Sequence, residues 1–179
     1  MKILAFDPSL TCTGWALIRD HAEFPNGLIL GMGYLQPDGI ATDDLALRIL
    51  DLAKGIGRRA AESAADLIVI ETPAATGRAP GRQSFKSTVM TAPVYGAAVG
   101  ACITACGALG VKVCGVPADK WTTGFGVPSS RGDAFKVRRV EYVCRQWGLE
   151  SLGPKTYAGN VADAVLIARW ALWRDRGVA

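Results

Sequence analysis

The amino-acid sequence predicts an α/β protein built on one five-stranded mixed sheet in the spatial order 3-2-1-4-5, flanked by helices. Three observations carry that expectation. Three β-rich runs follow one another closely near the N-terminus, two later apolar runs are each reached through a helical segment, and right-handed crossovers set the first of these beside strand one. With 179 residues, 50% of them hydrophobic, the chain can fill a core, and a single domain over residues 1–179 is expected.

The first strand, residues 3–6 (ILAF), runs into Asp7 and the turn-forming Pro8-Ser9. Residues 15–19 form the second strand. Residues 28–35 (LILGMGYL) complete an antiparallel meander, with glycines that suggest bulges. Thr42 is the expected N-cap of a long amphipathic helix. Asp43 and Asp44 suit its positive end, and Leu45, Ile49, Leu52 and Ile56 mark its buried side.

Residues 66–71 (DLIVIE) read as a buried parallel strand that again ends in an acid. A loop to about Arg82 leads into a helix of small residues over 94–110, shorter than the ~20 residues that span a bilayer. Residues 111–116 (VKVCGV) form the fifth strand. An amphipathic helix over 133–147 and a last helix over 160–174 follow, the latter with Val161, Ala164, Val165, Ala168 and Leu172 inward.

Composition narrows the chemistry. The cysteines at 12, 102, 106, 114 and 144 form no C-x-x-C pair, and their odd count fits reduced thiols, with Cys102 and Cys106 as small core residues. His21 is the lone histidine. Any metal is therefore held by carboxylates and is hard, such as Mg²⁺ or Mn²⁺. The N-terminal stretch lacks a signal-peptide pattern, which suggests a cytoplasmic protein, and the net charge of +4 permits a nucleic-acid partner.

Strands one and four, as parallel neighbours, bring Asp7 and Glu71 to one crevice at the sheet edge. Each acid has a plain alternative: Asp7 as a turn residue, Glu71 as a strand-end charge bonding Thr72, and Asp163 as a helix N-terminal charge. Together, three carboxylates from distant parts of the chain suit a divalent-metal site acting on phosphate oxygens.

These residues resemble the RuvC family of Holliday-junction resolvases, within the RNase H-like nuclease superfamily. ILAFDPSLTCTGWALI resembles the family's I-x-G-I-D-P-G-x-x-x-T-G-x-x-V, LIVIETP its strand ending in a catalytic Glu, and NVADAVLIA its terminal D-x-A-D-A-x-x-x-A helix. The resemblance implies an RNase H-like fold and a homodimeric, Mg²⁺-dependent endonuclease, with Mn²⁺ able to substitute. Such an enzyme makes paired symmetric nicks across four-way DNA junctions, leaving 5′-phosphate and 3′-hydroxyl ends. It further implies two metal ions per site, with Asp7, Glu71 and Asp163 as three of four acidic ligands.

The fourth ligand position is Asn160, a departure from the pattern, open to two roles as metal ligand or helix cap. Asn160→Asp is expected to lower the metal requirement with little harm to folding. The family's aromatic three residues after the Glu is replaced by Ala74, with Phe85 as a substitute. Lys120 and Lys136 resemble the family's basic residues, Lys136 as a catalytic one.

DNA contacts are expected from Arg78, Arg82 and Lys86 beside Glu71, and from a segment carrying Arg131, Lys136, Arg138 and Arg139. Gly96 and Gly100 let the central helix approach a neighbour, either a dimer partner or the sheet. A sugar-kinase-like phosphotransferase shares the opening motif but needs two such domains, so no nucleotide cofactor is expected. A junction-binding protein that has lost catalysis through Asn160, and a nuclease of broader branched-DNA specificity, remain alternatives.

Overall fold

The computed structural model describes residues 1–36, 44–72, 85–122 and 133–177, with backbone alone for 85–95 and 133–135. Arg78, Arg82 and Arg131, and the side chains of Phe85 and Lys86, lie outside the described residues, as do Thr42 and Asp43. Five strands, β1 (Lys2–Asp7), β2 (Thr13–His21), β3 (Phe24–Leu35), β4 (Leu67–Thr72) and β5 (Lys112–Pro117), form one sheet in the order β3-β2-β1-β4-β5. β1 pairs antiparallel with β2 and parallel with β4, as the crossover rule requires.

Alternation along β1 explains its unbroken hydrophobic run. Ile3 and Ala5 face a core built mainly from the last helix, while Leu4 and Phe6 face the helices on the other side, and all four are fully buried. α1 (Leu45–Ser63) and α2 (Phe85–Gly107) cover that second face. α3 (Ala118–Trp121), α4 (Asp133–Trp147) and α5 (Lys155–Asp175) belong to the first, where Trp121 is fully buried.

Several sequence expectations change in detail. Asp44 caps α1, its carboxylate accepting from the Ala46 and Leu47 N–H groups at 2.9 and 3.2 Å. Leu52 and Ile56 are buried as expected, but Leu45 in the first turn is 38% exposed because the helix begins beyond the edge of its core. Gly31 and Gly33 are there for close approach: a Cβ on either would meet the Trp15 ring at 3.2–3.3 Å. One β3 bulge falls beside them, at Leu30, where the register with β2 slips between Leu17 and Ile18, and a second irregularity lies between Arg19 and His21.

The helix of small residues ends at Gly107. Cys102 and Cys106 lie fully buried on its inner side, and burial pushes their thiols up to about 12 and about 11. Gly96 and Gly100 point away from the sheet into open space, so packing on the sheet does not explain them. Among the described residues no helix is long and apolar enough to cross a membrane.

The last helix starts at Lys155, one and a half turns earlier than its apolar pattern suggests. It is enclosed on more than one side, so even Arg169 is only 4% exposed. That guanidinium donates to the Tyr142 hydroxyl at 2.6 Å and lies 4.1 Å from the Trp173 ring centre, pinning α4 to α5. α4 carries two of the cations described next.

Candidate active site

The C-terminal ends of β1 and β4 place Asp7 and Glu71 in one cavity of about 600 Å³, and the inner face of α5 adds Asp163. The plain alternatives for these acids fail on geometry. An Asp7 turn needs the Ser9 N–H, but that group donates to the Thr13 hydroxyl at 3.2 Å, while the Asp7 carboxyl hydrogen-bonds Glu71. Glu71 is thereby turned to Asp7. Asp163 lies more than two turns inside α5, too far from the first turn to serve its dipole.

Burial and mutual repulsion hold all three carboxyls above their ordinary range. Asp7 is raised well above it by desolvation and by the charge of Glu71. Desolvation pushes Glu71 up to about 7, with the charge of Asp163 adding to the shift, and pushes Asp163 up to about 7, with the charge of Asp7 adding. Lys136 and Arg139, one turn apart on α4, oppose these shifts from the facing wall.

The two cations are already engaged. Arg139 forms a salt bridge with Asp163. The Lys136 Nζ donates to the Asn160 Oδ1 at 3.1 Å, and the Asn160 amide in turn donates to the Cys12 carbonyl at 2.6 Å. Among the described residues, no group of three or more His, Cys, Asp or Glu side chains stands close enough to hold a metal ion. The paired carboxyls Asp7 and Glu71 nevertheless fit one: two hard oxygen donors share a buried wall and repel unless a proton or a cation lies between them.

No family model and no curated protein matches the sequence. Solved structures do. RuvC from T. thermophilus, in complex with Holliday junction substrate, is similar over 100% of this chain and 98% of its own, with a TM-score of 0.71 and 17% identity. The chain has the RuvC fold. The yeast mitochondrial Holliday junction resolvase follows with a TM-score of 0.59 at 14% identity, over 98% of this chain and 81% of its own. The Fowlpox virus resolvase, in complex with Holliday junction DNA, matches at 0.51 and 10% over the whole of both chains.

Within this RuvC fold, Asp7, Glu71, Asp163, Asn160 and Lys136 line the same cavity, while Lys120 is exposed on α3 and does not. Sequence reasoning placed Arg139 in a segment expected to contact DNA, not in the cavity with the acids. Its position three residues after Lys136 put it on the same helix face, and that was the available sign. Trp121, which shares the cavity and lies 5.2 Å from the Arg139 guanidinium carbon, gave none, because a four-residue helix has no readable period.

The cap role of Asn160 is also removed, because the residue lies inside α5. This reverses one expectation about Asn160→Asp. A carboxylate there sets an oxygen against the Cys12 carbonyl where the amide now donates, so metal-free N160D is expected to lose about 1–3 kcal/mol of stability. Urea unfolding in EDTA measures this, and an unchanged midpoint would show that the Cys12 contact is dispensable.

Stability should also depend on pH in a defined direction. A carboxyl with a raised folded-state pKa binds its proton more tightly in the folded chain, so its contribution is full below about pH 4 and declines towards pH 7. Metal-free protein is therefore expected to melt at falling temperature across that window, with Mg²⁺ restoring part of the loss above pH 7. Thermal melts in EDTA and in Mg²⁺ check it. A rise in stability over the same window would mean that the acids are ionised and well paired.

Proposed function

We propose that the chain is a metal-dependent, structure-selective endodeoxyribonuclease that resolves four-way DNA junctions by paired symmetric nicks, acting in the cytoplasm as a homodimer. The observation that supports this most directly is the convergence of Asp7, Glu71 and Asp163 with Lys136 and Arg139 on one cavity of a RuvC fold. Negative wall and positive wall face each other there, the arrangement that a phosphodiester and a divalent cation require together.

Asp7 and Glu71, joined by Asp163, would hold Mg²⁺ or Mn²⁺, with two ions expected per site. Such ions supply positive charge to phosphate oxygens and a nucleophilic water at neutral pH. The chain's own residues do the rest. Lys136 and Arg139 draw the phosphate into the cavity, and the buried carboxyls must lose their protons near pH 7 before they accept a cation.

The deciding experiment is incubation of the full chain with a synthetic four-way junction in Mg²⁺ and in EDTA. Symmetric nicks that appear only with metal, and that ligase can seal, support the proposal. Binding without nicking would favour a second reading, a junction-binding protein with weakened catalysis. The engagement of both ends of the Asn160 amide speaks for that reading, since neither is turned to a metal. Equal cleavage of forks and flaps would indicate a nuclease of broader branched-DNA specificity.

A further inference from the structure

The two halves of the acidic wall are neutralised differently. Asp7 and Glu71 relieve their repulsion by sharing a hydrogen bond. Asp163 is relieved by a cation of the protein itself: the Arg139 Nη1 closes on its Oδ1, with the two side chains only 12% and 9% exposed. The guanidinium is held from behind as well, because the Trp121 ring centre lies 5.2 Å from its central carbon. Arginine does not lose its proton in a protein, so this counter-charge is permanent at any working pH.

Once Asp163 is ionised, a carboxylate paired in this way is not available to a second cation without a contest. Resting on the reading of the site as a metal-dependent nuclease, we infer that Arg139 is an internal cation that occupies Asp163 until a divalent ion displaces it, so that the protein loads metal in competition with its own arginine. The Asp163 carboxylate is accordingly turned towards α4. Arg139 is thus a positioning residue. It keeps a buried carboxylate neutralised while no metal is bound and makes metal affinity weaker than the donors alone would give.

The test is Mn²⁺ binding by the full chain without DNA, followed by the electron paramagnetic resonance signal of unbound Mn²⁺. Arg139→Gln is expected to tighten binding about tenfold, the change that follows from removing one positive charge beside a carboxylate. Arg139→Lys, which keeps the charge, should stay near wild type. An independent measurement needs no variant: in wild-type protein the Arg139 side-chain N–H resonance should move as Mg²⁺ saturates the site. Equal Mn²⁺ affinity in wild type and R139Q, or an unmoved Arg139 resonance at saturating Mg²⁺, overturns the inference alone. No Mn²⁺ binding by either protein overturns the metal-site reading, and this inference with it.

Discussion

Asp7→Asn is expected to abolish nicking of a four-way junction while leaving junction binding intact. The carboxyl stands at the end of β1 against Glu71, in the cavity that Lys136 and Arg139 line from the other side. An amide of the same shape keeps the packing but removes the charge that a divalent ion needs. Loss of a charge-stabilising group at the reacting phosphate costs on the order of a thousandfold in rate. Affinity for DNA comes from cations and their released counterions, which the substitution does not touch. Stability should not fall either, because the Asn amide can donate to the Glu71 carboxylate in place of the shared hydrogen bond. Nicking rates, binding isotherms and thermal melts on the same protein check all three. Wild-type nicking by D7N would leave Asp7 without a role in the chemistry.

Gly14→Ala is expected to have the largest effect on the fold of any single methyl group added here. A Cβ at Gly14 would lie 2.0 Å from the Asn160 carbonyl oxygen and 2.3 Å from its carbon, with the Val161 nitrogen at 2.8 Å. All three are backbone atoms of α5, so no rotamer change relieves the clash. The helix must back away from β2, and with it the face that carries Asn160 and Asp163. Overpacking usually costs about 1–3 kcal/mol, and a backbone-on-backbone clash belongs at or above the upper end. Urea unfolding should show a loss of about 3 kcal/mol or more, together with loss of nicking. A loss under about 1 kcal/mol would mean that α5 shifts freely on the sheet.

Gly14 also shows what can and cannot be seen along the chain. Its place in the opening motif is plain, but the reason for it belongs to a helix nearly 150 residues later, through a contact that no local pattern encodes. The same holds for Asn160. Read locally, an Asn before an apolar run is a good N-cap, and the apolar run starts at Val161. The helix in fact extends back to Lys155 through a mixed run, in which Ala158 packs in the core while Thr156 and Tyr157 line the cavity, too short and varied to show an apolar stripe.

The sequence by itself determined the sheet order, the crossovers and the meeting of Asp7 with Glu71. These rest on information carried within short windows: an unbroken apolar run specifies a strand buried on both faces, and the handedness of crossovers leaves one arrangement of neighbours. Composition likewise limits the donors that any metal could find to carboxylates, since one histidine and scattered thiols leave little else. Only the tertiary structure decided which partner each side chain takes inside the cavity: Arg139 on Asp163, Lys136 on Asn160, Asn160 on Cys12. Those choices depend on the distance and angle between α4, α5 and the β1–β2 turn. They are set by the packing of Arg169 against Tyr142 and Trp173 and by the contact at Gly14, where chain segments far apart in sequence press on one another.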